Sequence, residues 1–149
     1  MAYLDVITLV QAKNYLKIDD GLTDDDALIE TMIKAAFRYI EKRTNHLVYA
    51  RDIVYNGACQ VKVYDYPINA VIAPLNAFKV DYSMFTCYAN DKQVELNVGY
   101  LTLDLVPEDI IISAYEMLSV WYYNSEKQVN STLIPESIKE VLDLYKRFL

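Results

Sequence analysis

The densest group of residues capable of chemistry lies between Asp19 and Asp26, where five of eight residues are aspartates. Closely spaced carboxylates can bind calcium, but an EF-hand loop needs oxygen ligands at positions 1, 3 and 5 and glycine at position 6. Counting from Asp19 places Gly21 at position 3, so the pattern fails. The cluster instead predicts a helix start, with Thr23 or Asp24 as the N-cap and the other acids near the positive end of the helix.

The other residues that could catalyse a reaction or bind a metal are isolated. His46 is the only histidine, so neither a histidine metal cluster nor a Ser-His-Asp triad is possible, and we expect it to cap a helix or lie in a solvated loop. Cys59 and Cys87 form no CxxC motif and are typical of a reduced cytoplasmic protein. We predict no catalytic, metal-binding or cofactor-binding residues. The 21 acidic residues leave a two-carboxylate site as an open alternative, because no spacing favours one pair.

The composition indicates a folded, acidic chain. Of 149 residues, 54% are hydrophobic and 23% are charged, which predicts one globular domain over residues 1–149. The net charge of −7 argues against binding DNA by phosphate neutralisation, since that requires clustered lysine and arginine. We expect no secretory signal peptide and no membrane span, because no apolar run approaches the ~20 residues that a span needs. The 14 tyrosines suit contact surfaces or an ordinary core equally well.

Helical patterns occupy both ends of the chain. Thr8 and Gln11 form a capping box, and Pro107 and Pro135 stand where a proline favours the start of a helix. Apolar residues at 3–4 spacing follow each start. The four predicted helices span about 8–18, 24–44, 107–123 and 135–148.

Between the second and third helices, from about residue 47 to 105, the apolar period changes to two. Ile53 and Tyr55 alternate with polar neighbours, and Asn56 and Gly57 then mark a turn. Further alternation ends at Gly99, where a strand should break. The predicted fold is therefore α+β and mainly α. It is a bundle of about four helices with a small antiparallel β-sheet inserted between the second and third helices.

The third helix has more apolar surface than a chain of this size can easily cover. One arc from Ile110 to Tyr122 should form the core, and Ser113, Glu116 and Ser119 mark the opposite, wet face. Apolar side chains interrupt that face as well. This helix is therefore either the central core helix or partly covered by another subunit. The apolar residues on the polar side are Ile112, Val120 and Tyr123.

A set of short motifs, in order along almost the whole chain, resembles the small head–tail connector (adaptor) proteins of tailed bacteriophages. The first is TLVQAKNYLKID over 8–19, and the helix after it carries DALI at 26–29 and a late Ile40-Glu41. The segments that resemble the later motifs are VYDYPINAV at 63–71, VGY at 98–100, VPEDI at 106–110, YNSE at 123–126 and Ile134-Pro135 with Leu142, Tyr145 and Arg147. Residues 73–93 carry no such motif.

This resemblance implies a structural virion protein and not an enzyme. Family members form a ring, usually of twelve copies, under the portal protein in the neck between capsid and tail. DNA passes through the ring without sequence-specific binding, and tail or stopper proteins bind its far side. The resemblance thus implies assembly in the host cytoplasm, no cofactor and no membrane. An acidic balance agrees with a channel that does not hold DNA.

Two contact surfaces follow as hypotheses from this resemblance and from the excess apolar surface. Neighbouring subunits should contact the third helix, where Trp121 is assigned to the core. The hypothetical subunit interface comprises Ile112, Tyr115, Glu116, Val120, Tyr122 and Tyr123. The hypothetical portal contact comprises Tyr145, Lys146, Arg147, Phe148 and Leu149, although the last helix could instead only close the bundle.

Two other classes of function stay open from the sequence. One is a different neck or tail-completion protein with the same fold. The other is a small acidic cytoplasmic enzyme or an inhibitor of DNA-binding proteins. An enzyme should have a pocket with converging polar groups, whereas an inhibitor that mimics DNA should have acids along one exposed face.

Overall fold

The computed structural model describes residues 1–57, 60–73, 78–81, 84–86, 93–126 and 134–146. These ranges contain five α-helices and six strands in two antiparallel sheets, so the mainly helical α+β class is confirmed. The helices are α1 (Tyr3–Val6), α2 (Leu9–Leu16), α3 (Asp26–Thr44), α4 (Glu108–Glu126) and α5 (Glu136–Tyr145). The strands are β1 (Arg51–Asn56), β2 (Gln60–Lys62), β3 (Ile68–Ala73), β4 (Phe78–Asp81), β5 (Met84–Thr86) and β6 (Gln93–Val98).

The starts of α2 and α3 differ in how they are capped. The capping box of α2 forms as expected: the Gln11 amide N–H donates to Thr8 Oγ1, and the Thr8 amide N–H donates to Gln11 Oε1. For α3, neither Thr23 nor Asp24 is the cap, so that prediction is wrong. Asp25 takes the N-cap position without a side-chain bond to the helix, because its carboxylate accepts a hydrogen bond from Tyr122 instead.

One apolar core joins all five helices. The inner face of α3 packs against α4, which in turn contacts α2 and α5. Burial of each such side chain contributes ~1.5–3 kcal/mol, so this cluster supplies most of the stability of the helical part. Its largest fully buried members include Ile29, Ile33, Phe37, Ile40, Ile110, Met117, Leu118, Ile138 and Leu142.

The strands form two three-stranded sheets, where the sequence had predicted one small sheet. One sheet has the order β1-β6-β3 and the other β2-β5-β4. In the first sheet β6 is central, and its alternating residues Val94, Leu96 and Val98 are buried in a second apolar cluster. Leu47 and Val63 complete that cluster. The segment 78–88, ambiguous in sequence, contains β4 and β5.

Gly99 ends β6 in a conformation that only glycine adopts easily. Its φ is +117°, and a Cβ there would overlap the backbone of Tyr49 and Ala50. The Gly99 amide donates to the carbonyl oxygen of Pro67, and the Tyr100 amide donates to that of Leu47. This close approach ties the sheet to the segment that follows α3.

Candidate interaction surface

The acidic cluster is a structured turn. Asp19 Oδ1 accepts a hydrogen bond from the Gly21 amide at 2.8 Å. The hydroxyl of Tyr122 donates to Asp25 Oδ2 at 2.9 Å, and Asp26 forms an ion pair with Lys13. Three of the five carboxylates, those of Asp19, Asp25 and Asp26, are therefore engaged with separate partners. Within the described ranges, no group of three or more histidine, cysteine, aspartate or glutamate residues is placed to hold a metal ion.

Lys13 fixes the conformation of that turn. Its side chain is only 4% exposed, and besides the ion pair with Asp26 its ammonium donates to the carbonyl oxygens of Asp20 (3.3 Å) and Leu22 (2.6 Å). A buried ammonium needs such partners, because an unpaired charge in the interior is costly. No motif in the sequence marks Lys13. The one sign of its buried position is that a lysine stands on the apolar face of α2.

Most of α4 is core, as its apolar arc predicts. Ile110, Ala114, Met117 and Leu118 are fully buried, and Trp121 is half-buried against the same cluster. Ser113, expected on the wet face, is buried, and that expectation is wrong. The reason is α5, which covers this side of α4: the hydroxyl of Tyr145 donates to Asp109 Oδ2, one helical turn before Ser113.

An apolar stripe nevertheless remains on the outer side of α4. Ile112 is 51% exposed and Tyr123 is 43% exposed, with the exposed Glu116 between them. Tyr115 and Val120 are half-buried beside the stripe. Helical periodicity places residues 112, 116 and 123 on one face, so the two exposed apolar side chains lie on the same side of α4 with Glu116 between them.

The stripe extends onto α2. The ring of Tyr15, itself 45% exposed, lies 4.8 Å from the ring of Tyr115, and the hydroxyl of Tyr123 donates to the carbonyl oxygen of Leu16. Sequence reasoning did not assign Tyr15 to any interface, and only the packing of α2 beside α4 reveals its place. The α2–α4 face is defined here as Tyr15, Ile112, Tyr115, Glu116 and Tyr123.

Tyr122 differs from the other residues assigned to the subunit interface. Only 7% of it is exposed, and its hydroxyl is bound to Asp25. It belongs to the core of the helical bundle, whereas Ile112, Glu116 and Tyr123 are exposed. A partner that covers α4 would therefore contact the exposed stripe first and the buried Tyr122 only after it.

The end of α5 carries the residues assigned to the second contact. Tyr145 is half-buried and its hydroxyl is bound to Asp109, whereas Lys146 is exposed. Arg147, Phe148 and Leu149 lie outside the described residues. The His46 and Tyr145 rings are nearly perpendicular, with their centres 5.9 Å apart. His46 Nδ1 shares a 2.7 Å hydrogen bond with the Tyr100 hydroxyl.

His46 is thus a buried structural residue, and the expectation of a solvated loop is wrong. A β-bridge to Tyr66 holds its backbone, and the rings of Tyr66 and Tyr100 lie against it. Burial first, and then the neighbouring Tyr66 and Tyr145, raise the pKa of Tyr100 to about 12. The His46 side chain therefore has a packing role, which its position in a turn after a helix does not indicate.

Glu41 is the centre of a buried polar cluster between α1, α3 and β1. Its carboxylate accepts hydrogen bonds from the Tyr3 hydroxyl (2.7 Å), the Val48 amide (3.0 Å) and both terminal nitrogens of Arg51 (3.1 and 2.8 Å). Burial and then the bond to Glu41 raise the pKa of Tyr3 to about 12. For Arg51, burial lowers the pKa, but its bonds to Glu41 outweigh that effect and the net pKa is raised.

None of the described helices is long and apolar enough to cross a membrane. The described residues thus combine an apolar core, a hydrogen-bonded polar cluster around Glu41 and partly exposed apolar side chains on the outer face of α2 and α4. Such a face is typical of a contact surface between proteins.

Comparison with known proteins gives one family. Residues 6–79 match the family described as phage gp6-like head-tail connector protein. No curated protein matches the sequence. Two solved structures share the fold, described as "Neck of empty GTA particle computed with C6 symmetry" (TM-score 0.66) and "Virion of native gene transfer agent (GTA) particle" (TM-score 0.68). Each is 13% identical in sequence and is matched over 97% of this chain and 92% of its own.

Proposed function

The chain belongs to the phage gp6-like head-tail connector family over residues 6–79, and from this premise we propose that it is a structural virion protein that forms a ring in the phage neck. The ring joins the portal protein to tail or stopper proteins and lets DNA pass. It acts without catalysis and without a cofactor. The protein is assembled in the host cytoplasm and resides in the neck between capsid and tail.

The observation that carries this proposal is the α2–α4 face, combined with the family match. A chain that leaves Ile112 and Tyr123 about half exposed on its central helix has apolar surface for a neighbour to cover. A face that meets a different surface on the next copy makes a heterologous contact, and such contacts close into rings when the rotation permits.

The proposed ring has twelve copies. The neck of the GTA particle, which shares this fold, was computed with C6 symmetry. Twelve copies are compatible with six-fold symmetry, with two copies in each repeating unit, and the number twelve is what the family resemblance implies. The net charge of −7 favours passage of DNA without retention, because an acidic protein has little attraction for phosphates.

Negative-stain microscopy of the protein, alone and with its portal, tests the ring directly. We expect a ring with a central hole, and its absence under both conditions would contradict the proposal. Ile112→Glu and Tyr123→Glu should each prevent ring formation. The melting temperature of the monomer should stay nearly unchanged in Ile112→Glu and fall modestly in Tyr123→Glu, because the bond from the Tyr123 hydroxyl to the Leu16 carbonyl is lost. Val54→Glu is the matched control, since Val54 is 49% exposed on β1 and outside the face. If both face variants still form rings, the interface lies elsewhere.

The C-terminal residues Tyr145 to Leu149 are the proposed portal contact. Ile138 and Leu142, both earlier in α5, bury that helix against the bundle. Deletion of Phe148 and Leu149 should therefore weaken portal binding and leave the melting temperature unchanged. A fall in melting temperature with unchanged portal binding would mean that the segment only stabilises the bundle.

A further inference from the structure

A groove with cationic side chains lies at the C-terminal end of α3. Its volume is about 450 Å³, and Arg38, Lys42 and Arg51 line it together with Glu41 and Asp65. Both carboxylates are already engaged, because Glu41 is bound by Tyr3 and Arg51, and Asp65 accepts a 2.6 Å hydrogen bond from Tyr55. Arg38 and Lys42 are exposed and have no ion-pair partner among the described residues. The three cationic side chains outnumber the two carboxylates, so the groove keeps a net positive charge of one on an acidic protein.

The opposite end of α3 carries the acidic turn. Of its five aspartates, Asp25 and Asp26 are bound to Tyr122 and Lys13, and Asp19 is bound to the Gly21 amide. Asp20 and Asp24 are exposed and form no ion pair in the described part of the chain. Lys13 holds the turn in one conformation, so little ordering entropy would be lost when a partner binds it.

We propose that the groove receives the acidic turn of a second copy, so that neighbouring copies in the ring join end to end along α3. The 17 residues from Asp26 to Lys42 span 16 rises, or about 24 Å of helix, so one chain cannot bring its own turn into its own groove. Two complementary surfaces at opposite ends of one element make a heterologous contact, the kind that a ring requires. This inference rests on the proposed ring and identifies the charged part of the contact, separate from the α2–α4 face.

Charge reversal tests the pairing. The groove variant Arg38→Glu/Lys42→Glu and the turn variant Asp20→Lys/Asp24→Lys should each weaken ring formation about a hundredfold, because like charges then meet. The variant that combines all four substitutions should form rings again. An equal mixture of the groove and turn variants should also form rings, because copies can then alternate. The control Lys17→Glu/Lys62→Glu replaces two exposed lysines outside the groove, and like the groove variant it changes the net charge from −7 to −11.

The ring is measured by negative-stain microscopy and sedimentation of the full chain, alone and on its portal, with melting temperatures to confirm folding. If wild-type rings form and the groove variant forms them equally well, this pairing is wrong while the proposed function stands. If the groove variant fails and neither the mixture nor the combined variant recovers, the groove binds another acidic partner, and the second-copy assignment is wrong. If the wild type forms no ring under either condition, the proposed function itself fails.

Discussion

At the scale of single residues, Glu41 connects more of the molecule than any pattern in the sequence suggests. It lies on α3, yet its carboxylate binds Tyr3 near the N-terminus, the backbone of Val48 and the guanidinium of Arg51. The guanidinium in turn lies 4.7 Å from the centre of the Tyr49 ring. A carboxylate that is 7% exposed is tolerated only because each of its lone pairs meets a donor.

Glu41→Gln should destabilise the protein by about 3 kcal/mol. The substitution leaves Arg51 without its counter-charge in a partly buried position, and loss of one partner of a buried pair costs ~3–5 kcal/mol. The lower end applies because 29% of the Arg51 side chain remains exposed and hydrated. Urea denaturation would show this as a lower midpoint with an unchanged slope.

Glu30→Gln is the control for that substitution. Glu30 faces Lys34 across 4.0 Å on the exposed side of the same helix, and such surface pairs contribute ~0–1 kcal/mol. Equal effects of the two substitutions would show that the buried cluster does not stabilise the fold as its geometry indicates.

At the scale of elements, the sequence predicts the helices better than the sheets. The face of α3 is evident because Ile29, Ile33, Phe37 and Ile40 recur at helical spacing and all are buried. Alternation along Val94, Leu96 and Val98 likewise predicts β6, but nothing local indicates its partners. β6 pairs with β1 some forty residues earlier and with β3, so the order β1-β6-β3 depends on non-local contacts that periodicity does not encode.

The same limit applies to the α2–α4 face. Ile112 and Tyr123 could be predicted as surplus apolar residues on α4, because the helical wheel places them among polar ones. The exposure of Tyr15 could not be predicted, since it depends on where α2 packs. Ser113 was misassigned for a related reason, because a small polar side chain on a helical wheel does not indicate which neighbouring helix will cover it.

Gly99→Ala should destabilise the fold by about 3 kcal/mol or more, because the chain would need both an unfavourable φ of +117° and a shift of the Tyr49 backbone. Gly21→Ala is the control and should change stability by less than about 1 kcal/mol. A Cβ at Gly21 would meet only a side-chain oxygen of Asp19, at 3.3 Å. Thermal melts of the two variants compare the positions directly, and a tolerated alanine at Gly99 would contradict the close approach between β6 and the segment after α3.

At the scale of the whole molecule, several of the many tyrosines and acidic residues pair with each other across the fold. Within the described residues, tyrosine hydroxyls donate to carboxylates elsewhere in the fold in four places, with distances of 2.6–2.9 Å. A charge-assisted hydrogen bond of this kind is stronger than a neutral one and fixes the elements relative to each other. The pairs are Tyr3 with Glu41, Tyr55 with Asp65, Tyr122 with Asp25, and Tyr145 with Asp109.

Tyrosines with a raised pKa should make the protein unfold in alkali over a defined pH range. Burial is the first cause that raises the pKa of Tyr3 and of Tyr100 from 10 to about 12, and burial followed by Asp65 also raises the pKa of Tyr55. A group that holds its proton more tightly when folded contributes stability that is complete below its unfolded pKa and is lost as the pH rises through the folded value. The contribution of these tyrosines to stability should therefore be constant up to about pH 10 and fall between pH 10 and 12.

Tyrosinate absorbance recorded together with circular dichroism measures this transition. The last tyrosines should ionise only as the helices unfold, because ionisation and loss of structure are coupled. Tyr55→Phe removes the most strongly shifted of these hydroxyls and should make stability depend less on pH above 10, whereas Tyr64→Phe, at an exposed position, should not. If all tyrosines ionised while the helices stayed intact, the hydroxyl–carboxylate bonds would not be what joins the elements of this fold.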